Sequence, residues 1–277
     1  MRLSAHTKVA AVLGWPVEHS LSPEMHNAAF AAMGMDAAYL AFAVHPGDLA
    51  LAVAGIQGFG LMGVNVTVPH KEAIMPLLDE VHHEAAFIGA VNTVVNHGGR
   101  LVGHNTDGRG FMRSLEEAGV DVAGKRVLVV GTGGAARAVS HYLCEESGAV
   151  CLWGRNPETS SRLAADLSIN FKNIHLLDRL DSLADMDVVV NATPLGLKDG
   201  DSLPFDVTSV RPGATVVDLI YRETPLLKAA AMRGCKTVHG LGMLLWQGVF
   251  AFELWTGEEP PVEVMREALM KGLKSRQ

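Results

Sequence analysis

The chain has 277 residues, a formal net charge of −7, 48% apolar residues and only 6% aromatic ones. That length suits one large domain or two ordinary ones around an aliphatic core. The acidic balance speaks against a nucleic-acid footprint, which needs a basic patch, and no apolar run approaches a membrane-spanning length.

Lys8 to Gly14 reads as a first strand, followed by a turn-rich loop over residues 14–23. Ser22-Pro23 is a helix start, with serine as N-cap and proline at the first helical position. Met25, Ala28, Ala29 and Ala32 share one helical face and Gly34 stops the helix. Ser20 has no capping duty, and together with Ser22 it would place two hydroxyls beside helix-terminal amides, a cradle suited to a carboxylate. A strand near 38–44 and a helix near 48–54 follow.

In residues 64–71, Val64, Val66 and Val68 alternate with Asn65 and Thr67, the period-two pattern of a half-buried strand. Pro69 suits the first position of a helix running to about Leu78, with Lys71 in its first turn. A cation there faces the positive end of the helix dipole, where a purely structural sequence would place an acid. Residues 89–95 read as another strand with Asn92 inside it; a buried amide of this kind ties down a loop or faces a ligand. A hairpin turn at 97–100 leads to the polar loop 104–108, where Asp107 is either a helix N-cap or a functional acid. The helix behind it sets Phe111, Leu115 and Ala118 on one face and ends at Gly119.

From Val127 the rhythm changes. A wholly apolar run to Val130 precedes Gly131-Thr132-Gly133-Gly134-Ala135-Ala136, and an Ala-rich helix then runs to about Cys144. Strands near 149–153, 188–190, 215–218 and 236–238 alternate with helices, which implies a doubly wound parallel sheet. Thr224-Pro225 is a second cap-and-proline pair. A helix over 243–255 is apolar nearly all round, so it should be buried between domains, and its Gln247 needs a partner. Pro260-Pro261 breaks the chain before a last amphipathic helix over 262–273. Cys144, Cys151 and Cys235 have neither Cys-x-x-Cys nor metal-ligand spacing; their odd number and the lack of a leader-like start point to reduced thiols and a cytoplasmic location.

The glycine turn has the dinucleotide form Gly-x-Gly-x-x-Gly/Ala, with Ala136 in the third small position, between a strand and a helix as the motif requires. After the second strand an NAD site would place an acid for the ribose hydroxyl; here Arg155 stands there, and a guanidinium suits a 2′-phosphate, so the expected cofactor is NADP(H). Lys71 and Asp107 sit at element ends and could pass a proton to a carbonyl oxygen as hydride arrives. His82-His83-Glu84 reads as a solvated helix face rather than a metal site, and no metal is expected.

Seven separated segments, residues 20–23, 65–71, 89–93, 105–108, 131–137, 191–193 and 240–247, together resemble the shikimate dehydrogenase family, in its order and over nearly the whole chain. The resemblance implies NADPH-dependent reduction of 3-dehydroshikimate to shikimate in chorismate and aromatic amino-acid biosynthesis. It implies that Ser20 and Ser22 hold the substrate carboxylate, that Asn65, Thr67, Asn92, Tyr221 and Gln247 bind the ring hydroxyls or carboxylate, and that Lys71 and Asp107 are the catalytic pair. It places Gly131, Thr132, Gly133, Gly134, Ala135, Arg155, Thr193, Leu219 and Gly240 along the cofactor. The implied fold is α/β: an N-terminal mixed-sheet substrate domain at 1–104, a Rossmann-like parallel-sheet cofactor domain at 105–242, and C-terminal helices at 243–277 returning to the first domain. Two departures from the family pattern stand out. Gly154-Arg155-Asn156 replaces Asn-Arg-Thr, with Thr159 where a second basic residue often stands and Arg162 as its nearest substitute, and Thr193-Pro194 replaces Thr-Ser. Alternatives are a quinate/shikimate or aminoshikimate dehydrogenase, or a dinucleotide-binding sensor without turnover. The sequence does not set the oligomeric state; a homodimer is one arrangement it allows.

Overall fold

In the computed structural model, which describes residues 3–198 and 200–276, the chain leaves its first unit at Thr106 and returns to it at Leu245. Unit 1 is Met1–Thr106 with Leu245–Gln277, and unit 2 is Asp107–Leu244.

Unit 1 contains β1 (Lys8–Gly14), α1 (Ser22–Ala32), β2 (Ala37–Ala43), α2 (Leu49–Gly58), β3 (Gly63–Val66), α3 (His70–Ala73), β4 (Glu80–Val81), α4 (His83–Ile88), β5 (Thr93–His97) and β6 (Arg100–His104). The strands form one mixed sheet in the order β2-β1-β3-β5-β6-β4. Strands β2, β1 and β3 run parallel, while β5 turns antiparallel to β3 and β6 antiparallel to β5. One face of this sheet packs Leu13, Val64, Val66 and Val94 against Val53 and Ile56 of α2. The last helix, α10 (Val262–Lys274), lies along α1, where Arg276 pairs with Glu24 at 2.6 Å.

Unit 2 contains α5 (Asp107–Glu117), β7 (Arg126–Val130), α6 (Gly134–Glu146), β8 (Ala149–Trp153), α7 (Pro157–Ser168), β9 (Ile174–Leu176), β10 (Val188–Asn191), β11 (Thr215–Asp218), α8 (Pro225–Met232) and β12 (Lys236–His239), and the split falls within α9 (Leu241–Thr256). Its sheet is wholly parallel in the order β12-β11-β10-β7-β8-β9. Because helices cover both faces, the strands are apolar without alternation. Val127, Val129, Val188 and Val190 face one core with α5, α6 and α7, while Leu128, Val130 and Val189 face a second core with α8. Among the described residues no helix is long and apolar enough to cross a membrane.

Several local expectations give way. Strand β3 ends at Val66, and Val68, expected on the buried face, is 67% exposed. Pro69 takes the N-cap position of α3, which closes after Ala73 and passes into a 3₁₀ turn at Met75–Leu77. A single turn carries little dipole, so the field expected against Lys71 is weak. The stretch at 89–95 becomes a strand only from Thr93, because Gly89 ends α4 in the left-handed conformation (φ 73°). Ser22 is the first helical residue of α1 rather than its cap, and the idle-looking Ser20 does the local work by accepting the Ser22 N–H at 3.2 Å.

Candidate active site

In unit 1, the outward ends of β3, β5 and β6 bring polar side chains into the interior. Asn65 Nδ2 donates to Thr93 Oγ1 at 3.1 Å and to the Asn92 carbonyl at 3.3 Å. Tyr39 Oη donates to Asn65 Oδ1 at 2.6 Å. Asn92 Oδ1 accepts the Thr106 N–H at 2.8 Å, and its Nδ2 donates to Thr106 Oγ1 at 2.9 Å and to Gln247 Oε1 at 3.4 Å. The Asn92 amide thus ties down the loop before Asp107, and Gln247 finds the partner its apolar helix demanded. Asn65, Asn92, Thr93, Thr106 and Gln247 are all at least nine-tenths buried. An interior that dense in amides and hydroxyls is tolerable only because its members satisfy one another.

Around this network, Thr67 is half-buried, and its backbone N–H donates to the Leu13 carbonyl at 2.9 Å. A Cβ on Gly14 would lie 2.4 Å from Thr67 Cγ2, so glycine there is what lets Thr67 sit. Lys71 is half-buried on α3, whose position is fixed from two sides. Its own carbonyl accepts the Val91 N–H at 2.8 Å, and the buried His70 ring lies 2.8 Å from the Val44 carbonyl through Nε2. Ser20 is half-buried, and its carbonyl accepts from Arg276 at 3.0 Å.

In unit 2, the expected cofactor residues gather at the carboxyl ends of the parallel strands. The strand order reverses at β7, whose neighbours β8 and β10 belong to opposite halves of the sheet. Open α/β sheets bind ligands at such a point. Gly131 follows β7 with φ 124°, and a Cβ there would approach the Ala192 carbonyl oxygen to 2.9 Å. Beyond it, a Cβ on Gly133 would meet nothing within 4 Å, and Gly133 opens α6 without any side-chain cap. This leaves room and backbone donors for a diphosphate beside Thr132, Gly134 and Ala135, so the turn fits a dinucleotide.

Arg155 is exposed in the turn after β8, next to Asn156, which caps α7 by accepting the Glu158 N–H at 2.9 Å. The departures in this turn have a packing reason. A Cβ on Gly154 would lie 2.7 Å from both Ser160 Oγ and Thr132 Cγ2, and the Thr132 and Thr159 hydroxyls meet at 3.0 Å. Thr193 donates from Oγ1 to Asn191 Oδ1 at 2.7 Å, and the Leu219 N–H donates to the Asn191 carbonyl at 3.0 Å. Gly240 is obligatory as well, since a Cβ would come within 2.1 Å of the Leu219 carbonyl oxygen. Tyr221 is half-buried after β11. Asp107, buried, is the first residue of α5 rather than its cap, and Gly108 beside it allows the close approach of Tyr142.

Sequence reasoning missed three positions that hold this machinery. Tyr39 sits in an otherwise apolar strand, where only its lone hydroxyl could have drawn notice. Asn191 and Asp218 end β10 and β11, and Asn191 Nδ2 donates to Asp218 Oδ1 at 3.0 Å while Thr224 Oγ1 donates to Oδ2 at 2.7 Å. Burial raises the Asp218 pKa against these hydrogen bonds. A carboxylate at the end of an apolar strand was the available signal.

Family models match in three parts: "Shikimate dehydrogenase substrate binding domain" over residues 12–94, "Shikimate / quinate 5-dehydrogenase" over 114–195, and "Shikimate 5'-dehydrogenase C-terminal domain" over 240–270. A shikimate dehydrogenase (NADP(+)) of Moorella thermoacetica is 49% identical over 283 residues, covering 99% of this chain and 96% of its own. The crystal structure of shikimate 5-dehydrogenase from Thermus thermophilus in complex with NADP(H) and shikimate is 38% identical with a TM-score of 0.88, covering 96% of this chain and 99% of that one. Quinate dehydrogenase from Corynebacterium glutamicum in complex with NAD is 34% identical with a TM-score of 0.88, covering 96% and 99%.

Proposed function

The chain belongs to the shikimate dehydrogenase family, and on that premise we propose how its residues divide the NADPH-dependent, reversible reduction of 3-dehydroshikimate to shikimate. It is an NADP-dependent oxidoreductase acting on a CH–OH group. Lys71 donates the proton to the developing alkoxide oxygen, with Asp107 as the second member of the catalytic pair. Ser20 and Ser22 bind the ring carboxylate; Asn65, Thr67, Asn92, Tyr221 and Gln247 take the remaining oxygens. Gly131, Thr132, Gly133, Gly134 and Ala135 hold the diphosphate of NADP(H), Arg155 its 2′-phosphate, and Thr193, Leu219 and Gly240 the rest of the cofactor. When bound, NADPH supplies the hydride to the carbonyl carbon. Acting on a small soluble acid, and with three free cysteines, the protein suits the cytoplasm.

The observation that carries the residue assignment is the buried polar network of unit 1. Asn65, Asn92 and Gln247 lie together at the strand end that leads into Lys71, where a fold alone would place apolar side chains. The test is a matrix of initial rates with NADP+ and NAD+ against shikimate and quinate. Shikimate with NADP+ should give the highest kcat/KM. The likeness to an NAD-bound quinate dehydrogenase favours one rival reading, and quinate oxidised with NAD+ as fast as shikimate with NADP+ would establish it instead. No turnover in any cell of the matrix would leave a dinucleotide-binding sensor.

A further inference from the structure

The Tyr39 hydroxyl donates to the side chain of Asn65, a residue assigned to the substrate. We infer that Tyr39 is a positioning residue that fixes which atom Asn65 presents to the substrate. This rests on the reading of Asn65 as a substrate ligand.

Hydrogen-bond polarity orients the Asn65 amide. Its Nδ2 lies 3.3 Å from the Asn92 backbone carbonyl, which can only accept, so the amide nitrogen must face that way. Its second proton goes to Thr93 Oγ1 at 3.1 Å. Oδ1 therefore faces Tyr39, which donates to it at 2.6 Å. A carbonyl oxygen has two lone pairs, and no other donor reaches this one among the described residues. Asn65 is thus set as an acceptor for a substrate hydroxyl.

Tyr39 is held as such an orienting role requires. The Asn27 side chain bonds both of its backbone groups, accepting the N–H at 2.8 Å and donating to the carbonyl at 2.9 Å. Between Tyr39 and Asn65 runs β1, whose residue beside Tyr39 is Ala10, small enough for a ring to cross. The His26 ring stacks on Tyr39 with centroids 4.4 Å apart and planes 17° apart, and Trp255 leans on the same ring at 5.9 Å. His26 is fully buried, and neither ring nitrogen has a partner among the described residues, so it serves as a flat neutral slab and does not compete for the Tyr39 proton. Ring packing, backbone bonds and a neutral neighbour leave the phenol one orientation.

The test is a double-mutant cycle on the full chain using Tyr39→Phe and Asn65→Ala, with steady-state kinetics for shikimate and for NADP+. Tyr39→Phe keeps the ring and removes only the hydroxyl. It should raise the KM for shikimate about tenfold, the effect of one lost buried hydrogen bond, with kcat and the KM for NADP+ within about twofold. In the Asn65→Ala background the same substitution should change the shikimate KM by less than about twofold, because the atom it orients is gone. Additive effects in the cycle, or an unchanged KM for Tyr39→Phe while Asn65→Ala raises it, would overturn this inference alone. An unchanged KM for Asn65→Ala would overturn the substrate role of Asn65 and this inference with it. A Tyr39→Phe protein that fails to fold, or that weakens shikimate and NADP+ alike, would mark the hydroxyl as structural and overturn the inference too.

Discussion

Unit 1 buries Ser22, Asn65, Asn92, Thr93, Asn105, Thr106 and Gln247, and their side chains bond largely to one another or to neighbouring carbonyls. Unit 2 buries Asn191, Asp218 and Thr224, but spends them on holding loop backbone in place, as in the bonds from Thr193 and Ile220 N–H groups. Its proposed cofactor surface is instead glycine: Gly131, Gly133 and Gly240, two of which have no room for a Cβ. On the proposed assignment, unit 1 recognises with side chains and the cofactor turn of unit 2 with main chain. Side-chain sites fail when one group is deleted; main-chain sites fail when a carbon is added. Deletions in unit 1 should act on the substrate, whereas along the proposed cofactor surface of unit 2 the side chain expected to matter by itself is Arg155.

The largest effect belongs to Lys71. If it donates the proton in the transition state, Lys71→Ala should lower kcat by about 10²- to 10⁴-fold. The KM for shikimate should stay within about threefold, the pattern of a group acting in the transition state. Steady-state rates in both directions provide the check. A rise in KM with kcat intact would make the lysine an anchor, one more member of the polar network instead of the group that acts on it.

The two units differed in how far the sequence exposed them. Parallel strands buried on both faces are uninterrupted apolar runs, and each glycine that cannot carry a Cβ appears as a glycine, so β7, the turn after it and β8 could be read directly. Unit 1 yielded its sheet and its polar residues but not their bonding. Asn92 was equally a loop tie or a ligand until Thr106 and Gln247 came beside it from 14 and 155 residues away. Ser20 and Ser22 exchanged local roles because the helix began one residue early, a shift within the ordinary uncertainty of helix ends. Tyr39 stayed hidden for a related reason: its partner Asn65 is 26 residues distant, across an intervening strand. Long-range hydrogen bonds leave no periodicity behind them.

Arg155 tests the other half of the comparison. Charge-assisted bonds to a phosphate are worth about 1.5–3 kcal/mol, so Arg155→Ala should raise the KM for NADPH about ten- to a hundredfold. NADH lacks the 2′-phosphate and should be affected less than about twofold, since the glycine turn still holds its diphosphate. Comparing both reduced cofactors at saturating 3-dehydroshikimate measures the split. Equal losses would mean that main chain alone does not hold the dinucleotide, and the contrast between the units would fail there.

The smallest expected effect concerns stability, and it separates the units by sign. Unfolded, the His26 ring takes up a proton near its ordinary 6.5, but burial among aromatic rings lowers that value to about 3 in the fold. Between those values the unfolded chain binds more protons, so stability falls as pH drops from 6.5 toward 3 and is undiminished above 6.5. Asp218 works the other way. Burial raises its pKa from 3.8, so above 3.8 the folded chain keeps a proton that the unfolded chain has released, and stability falls as pH rises through that window. Thermal melting in steps from pH 7 to pH 4 should therefore show His26→Phe losing less stability on acidification than the parent chain, by a few degrees at the acid end. Phenylalanine preserves the stack on Tyr39 without the ring nitrogens that acid would charge. If both proteins instead lose stability in parallel, the acid-sensitive group is not His26.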